Sequence, residues 1–271
     1  MSRYFKKIKV NSANKLILFY IILILTFGSE LKAQTDKFTQ FSNEFQISRA
    51  ISDKWASELW IGSAFSNTPT ENRILKTNIQ RYIVTWMHYH YTPRWRFSSS
   101  LAYYYNKDVP DIGQYKSPEY RLTLQGLYYF HKIGYTLSTR MRGEFRYLMN
   151  EEGDFEDNYR YRQMVKFLKP LNSKFLRQGV FYLLADDEIW LKPNAKSTGL
   201  TFFDRNRFEI GGGYIITDDL QVELSYVNEF LPRDDVNQLY NCVSLTISFN
   251  NLISNFKKRF IPQSSEGVQP D

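Results

Sequence analysis

Cysteine is nearly absent from this sequence. Cys242 is the only one in 271 residues, so no intramolecular disulfide can form and no thiolate metal cluster can be built. A lone thiol in a strand reads as a small filler residue. Histidine is almost as scarce, with three in the chain. His88 and His90 share a face two residues apart, but two ring nitrogens with no carboxylate close in sequence make a weak metal site. The pair reads as interfacial polar aromatics. The local signatures of common catalysis are also missing: there is no Gly-x-Ser-x-Gly elbow, no Walker-type loop and no His-Glu-x-x-His. Gly211-Gly212-Gly213 is followed by no helix, so it reads as a bend that lets a sheet close rather than a phosphate cradle. From residue 37 onward no helical period emerges, and the mean hydropathy of -0.45 excludes a bundle of membrane helices.

The basic excess is confined to the start. The formal charge is +7, yet residues 1–33 hold Arg3, Lys6, Lys7, Lys9, Lys15 and Lys32 against one acid, Glu30, and the basic and acidic counts beyond them are 29 and 27. A nucleic-acid role thereby loses its main support. Leu16 to Phe27 has the length of a signal-peptide core and falls short of the roughly 20 residues that a spanning helix needs. Gly28, Ser29 and Leu31-Lys32-Ala33 then supply a cleavage site. The expectation is a signal peptide over 1–33 and a mature chain that starts at Gln34 and leaves the cytoplasm.

What the chain has in plenty is aromatic residues, 17% with 20 Tyr and 21 Phe, and strict alternation. In Gly134–Met149, Tyr135, Leu137, Met141, Phe145, Tyr147 and Met149 fall on one parity, and Thr136, Ser138, Arg140, Arg142, Glu144 and Arg146 on the other. Side chains of a strand alternate between its faces, so one face is apolar and the other charged. After an acidic loop the pattern resumes, with Arg160, Arg162 and Lys166 opposed to Tyr159, Tyr161, Val165 and Phe167. A soluble sandwich would turn the charges to water. A transmembrane barrel would turn the apolar face to lipid and enclose the charges.

Turn signals decide between the two. Strand-like segments run over roughly 37–50, 54–66, 74–92, 94–106, 118–132, 134–149, 158–170, 175–191, 203–216, 220–231 and 237–249. Their joins alternate between tight (52–54, 93–94, 132–134, 171–174, 217–219) and longer (66–73, 107–117, 150–157, 192–202, 232–236), as in outer-membrane barrels with short periplasmic turns and longer outer loops. Trp55 and Trp95 follow tight turns and mark one interface, with Trp190 near a long loop at the other. The segments number eleven, but single-chain bacterial barrels have an even number of strands, which points to ten or twelve, with twelve preferred. Either 37–50 is not a barrel strand, or a long segment such as 74–92 or 175–191 is broken. The last strand turns Leu239, Val243, Leu245, Ile247 and Phe249 outward. Residues 251–271 are expected to form a periplasmic, poorly ordered tail.

The same parity turns Arg205, Arg207 and Glu209 inward on one strand and Gln221, Glu223 and Ser225 inward on the next. Asp186 and Glu188 also face in, with Arg177 and Asp187 breaking the alternation as a bulge would. The expected lumenal network is thus Arg140, Arg142, Glu144, Arg146, Arg160, Arg162, Lys166, Glu188, Arg205, Arg207, Glu209 and Glu223. It serves either as a plug of Arg–carboxylate pairs, the preferred reading, or as a water-filled passage whose arginines favour anions.

Taken together, Arg140, Arg142, Glu144 and Arg146, then Arg160-Tyr161-Arg162, Asp187-Glu188, and Asn206-Arg207 ahead of Gly211-Gly212-Gly213-Tyr214, resemble the family called domain of unknown function 2490. The resemblance spans about residues 37 to 250. It implies an outer-membrane β-barrel, common in the Bacteroidetes, with no established activity. The basic C-terminal tail departs from the family. The reading is therefore an all-β, antiparallel transmembrane barrel of 10 to 12 strands over 34–250 in the cell outer membrane. It would be structural or a porin-like small-solute passage, with no catalytic, cofactor or metal residues assigned. Its partners would be membrane lipid and, during biogenesis, periplasmic chaperones and the barrel-assembly machinery. The alternative is an outer-membrane enzyme acting on lipid or peptide at the loop rim, for which Asp108, Asp111 and His131 are the available side chains.

Overall fold

The computed structural model describes residues 35–194, 202–233 and 236–250. The expected signal segment, the expected tail and the side chain of His131 lie outside the described residues. Eleven strands carry most of the rest: β1 Thr35–Ala50, β2 Trp55–Ser66, β3 Thr77–His90, β4 Trp95–Asn106, β5 Ser117–Lys132, β6 Tyr135–Met149, β7 Phe155–Pro170, β8 Phe181–Asn194, β9 Phe203–Thr217, β10 Leu220–Leu231 and β11 Asn237–Asn250. A short 3-10 turn, Pro110–Ile112, lies between β4 and β5.

The strands form one closed barrel in sequence order. Each pairs antiparallel with the next. Ten such reversals return β11 to the direction of β1, so the closing pair is parallel. Side-chain hydrogen bonds across it keep one offset: Ser42–Ser244, Gln46–Ser248 and Ser48–Asn250 each span 202 residues. An antiparallel pair would keep a constant sum instead. The count stays within the expected range, but the parity argument for ten or twelve fails: neither 74–92 nor 175–191 is broken, and β1 is a full barrel strand. Accordingly β1 starts at the rim of the longer loops and β11 ends at the rim of the tight turns.

Tight joins hold at 51–54, 91–94, 133–134 and 218–219. Gly134, with φ +84, fits a two-residue turn that an L side chain would strain. The join after β7 departs from expectation. It runs over 171–180, and β8 starts at Phe181 rather than near 175. Arg177 thus lies outside the strand, and β8 runs without a register shift past Asp187, so no bulge forms there. Asp187 simply faces out, where its carboxylate accepts a hydrogen bond from Asn206 Nδ2 at 2.8 Å. The bulge on the neighbouring strand lies instead at Asp204, between the pairs Trp190–Arg205 and Leu191–Phe203.

Polarity is inverted relative to a soluble barrel. Leu101, Leu122, Leu124, Met141, Phe145, Phe208, Ile210, Leu224 and Val243 are exposed on the outer face, while Glu119, Arg142, Glu144, Arg160, Arg162 and Glu188 are buried inside. Outward aromatic rings gather in two belts. Near the tight turns Trp55 packs on Tyr89, Trp95 on Phe97 and Tyr128, Tyr135 on Phe167, and Phe181 on Tyr214. Toward the long loops Tyr103 packs on Tyr120, Tyr147 on Phe155, and Phe145 on Tyr159.

Apolar side chains cluster at both rims. At the loop rim, Val109 and Ile112 of the β4–β5 connection pack on Phe38, Ile79, Ala64 and Tyr240. Gln114 Nε2 anchors this lid by donating to the carbonyls of Ile79 and Lys107, both at 2.8 Å, and Thr70 Oγ1 donates to Asp111 of the lid from the adjoining loop. At the other rim Tyr182, Leu184, Ile215 and Leu168 cluster. The 171–180 connection adds buried Val180, held by the hydrogen bond from Ile215 N to its carbonyl at 3.1 Å.

Candidate functional site

The inward positions of β5 to β9 form a charged wall whose hub is Glu144. Its side chain is fully buried. Glu144 Oε2 accepts Arg160 at 2.6 Å and Oε1 accepts Arg162 Nη1 at 3.0 Å, with Arg121 and Arg142 at 3.7 and 3.8 Å. Strand register explains the convergence. Glu144 stands opposite Thr123 on β5 and Arg160 on β7, so its neighbours one pleat away on the same face are Arg121, Arg142 and Arg162.

Two further carboxylates extend the chain of pairs. Glu188 accepts Arg140 at 2.6 Å and Arg162 at 2.5 Å. Glu119 accepts Arg121 at 2.6 Å and Arg146 at 2.7 Å. Beyond them Asp204 sits among Arg205 at 3.3 Å, Arg160 and Lys192 at 3.6 Å, and Arg205 continues to Glu229 at 2.9 Å. Arg207 lies 3.5 Å from Glu209 and 3.7 Å from Glu229, and Lys166 lies 3.8 Å from Asp186. Glu223 stands apart near the tight-turn rim, where it accepts Tyr182 Oη at 2.6 Å and Gln221 at 2.9 Å. Eleven of the twelve residues expected in the lumen are thus brought into one ionic wall, and Glu223 is not.

Trp190 corrects the expectation of an interfacial ring. It shares the inward parity of Glu188 and is buried, with the guanidinium carbons of Arg162, Arg160 and Arg205 at 3.8, 4.3 and 4.5 Å from its ring centroid. Stacking on a π-face offsets part of the cost of bringing like charges together. His88 is also inside rather than interfacial: its Nδ1 is 2.8 Å from Ser98 Oγ and its Nε2 3.0 Å from Glu58. Glu58 is thus the carboxylate that the sequence did not place near it. Among the described residues no group of three His, Cys, Asp or Glu is arranged to hold a metal.

Glu119, Arg121, Lys192, Asp204 and Glu229 are members that sequence reasoning missed. Extending the alternation to β5 would have found Glu119 and Arg121. Asp204 was hidden by its bulge, which turns two consecutive residues inward. The candidate rim hydrolase residues do not assemble. Asp111 lies in the loop-rim lid, whereas His131 pairs with Thr136 beside the tight turn at the opposite end.

Glycines fit the wall to its tyrosines. A Cβ on Gly213 would lie 2.2 Å from the Tyr182 ring, and one on Gly62 2.2 Å from Tyr82. Tyr82 reaches across Gly62 to donate to Glu44 at 2.6 Å, as Tyr182 reaches across Gly213 to Glu223. At Gly213 a resting place for a ring, rather than a sheet bend, is what requires the missing side chain.

No curated protein and no solved structure matches the chain. Residues 39–240, which hold most of the closed all-β barrel and all of the ionic wall built on Arg140 to Arg146 and Arg160 to Arg162, match the family described as Protein of unknown function (DUF2490), and the chain belongs to that family.

Proposed function

We propose that this protein is an integral outer-membrane barrel, delivered by a cleaved signal peptide, whose lumen is closed at rest by the Arg–carboxylate wall and the apolar lid at the loop rim. One observation carries the reading: exposed leucine, isoleucine and phenylalanine cover the outer face between two aromatic belts, while ionised side chains fill the interior. In water this arrangement would waste the hydrophobic effect, whereas in a bilayer it satisfies it. Outward polar groups are themselves paired, Gln163 with Thr139 at 2.8 Å and Asn228 with Asn241 at 2.9 Å, as a lipid-facing surface demands. Membrane lipid is then the principal partner, and the barrel-assembly machinery acts during biogenesis.

A second reading, a small-solute passage with a preference for anions, is favoured by the arginines outnumbering the carboxylates hydrogen-bonded to them. Fractionation with detergent extraction and heat-modifiable gel mobility tests the first reading. Recovery of a monodisperse species from plain buffer overturns it. Planar-bilayer recording separates a closed barrel, which passes no steady current, from an open passage.

A further inference from the structure

We infer that the lumen binds one small anion on the wall made by β3 to β6, between Arg142 and Arg96. Each other arginine of β5 to β9 named in the ionic wall lies within 3.5 Å of a carboxylate oxygen. Arg142 does not. Its Nε and Nη2 both donate to the neutral amide oxygen of Gln125, at 3.1 and 2.8 Å. Its Nη1 lies 3.8 Å from Glu144 Oε1, an oxygen that already accepts Arg162. Arg96 makes no ion pair among the described residues, and its Nε is buried without a hydrogen-bond partner.

Register brings the two together. Ser98 faces Gln125 and Gln125 faces Arg142, while Arg96 faces Leu127 and Leu127 faces Arg140. Around them the lining offers buried polar groups without partners, most of them donors only. Trp86 and Ser100 are opposite one another on β3 and β4 and both deeply buried. Trp86 Nε1, Ser100 Oγ and Arg140 Nε have no hydrogen-bond partner, nor does Trp60 Nε1, whose ring lies 5.3 Å from that of Trp86. The guanidinium of Arg142 lies 5.1 Å from the Trp86 ring centroid.

An indole N–H and a guanidinium can only donate, so the group that completes this set must accept. The facing carboxylates, Glu58, Glu144 and Glu188, are engaged by His88, Arg160 and Arg162, and Arg140. Arg142 shares its nearest carboxylate, Glu144, with Arg160 and Arg162, and a buried guanidinium short of negative charge is costly, which favours a halide or a small carboxylate over water. The inference deepens the second reading above and rests on the lumenal polarity, not on where the barrel resides.

The test is a bromide soak of crystals of the full chain in detergent, with data collected at the bromine absorption edge. The expected result is one lumenal anomalous peak within hydrogen-bonding reach of Arg142 Nη1, lost in Arg142→Gln and weakened in Trp86→Phe, which keeps an aromatic ring but removes the N–H donor. No lumenal peak in the wild type overturns the site, as does a peak undiminished in Arg142→Gln. Should that variant fail to fold, Arg96→Gln supplies the same comparison. Fractionation decides the membrane reading separately, so the two can fail independently.

Discussion

Replacing Ser42 with cysteine asks directly whether β1 closes on β11. Ser42 Oγ lies 3.5 Å from Cys242 Sγ, with both side chains inside the barrel, so the variant sets two thiols side by side across the parallel seam. Oxidation with copper phenanthroline should join them. The cross-link closes a loop of about 200 residues, for which the chain-entropy relation gives about 5 kcal/mol of destabilisation of the unfolded state. Strain in the native state subtracts from that figure. On a non-reducing gel the oxidised S42C protein should run faster after boiling than its reduced form, and S42C/C242S should show no shift. It should also withstand more urea before losing its folded mobility. If S42C stays reduced under oxidant while both thiols remain reactive to maleimide after unfolding, the seam is wrong. A further strand between β1 and β11, as an even-numbered barrel would need, predicts that outcome.

Other perturbations bear on the wall, the mouths and the loops. Glu144→Ala strips the hub from Arg160 and Arg162 and should lower stability by about 3–5 kcal/mol, read as an earlier urea midpoint in micelles. Gly213→Ala drives a methyl into the Tyr182 ring and should cost about 1–3 kcal/mol. Adding Tyr182→Leu should return part of that loss, and strict additivity of the two would refute the ring contact. Val109→Ser with Ile112→Ser removes the apolar latch of the loop-rim lid and should raise single-channel conductance above that of the wild type. In the β2–β3 loop, hydrogen bonds from Arg73 and Lys76 hold the Glu71 carboxyl far below its ordinary value of 4.5. Its contribution should be intact above that value and lost only as the pH falls toward the depressed one, and a carboxyl chemical shift that titrates in the ordinary range would refute this.

The strands were legible because apolar and charged residues alternate through most of β6 and β7, and the charges assigned inward there are the ones the barrel encloses. Strand number was legible in the segments, and it was lost only when an expectation about parity was laid over them. Trp190 and His88 were misplaced because nearness to a strand end was weighed above parity. Parity wins, since a side chain two residues from Glu188 must share its face. Asp204 and the loop-rim lid could not be read at all. A bulge depends on the partner strand, and the packing of Val109 and Ile112 on Phe38 joins segments far apart in the chain. The demand for glycine at 213 likewise comes from a ring on another strand.

The parallel closure has a consequence for rewiring the molecule. With the start of β1 at one rim and the end of β11 at the other, no short linker can connect them. A circular permutant of this barrel would need a connector that traverses its full height, either threading a crowded interior or crossing the greasy exterior. Permuted versions with brief joins should therefore fail to assemble, although the same operation is tolerated where termini emerge side by side.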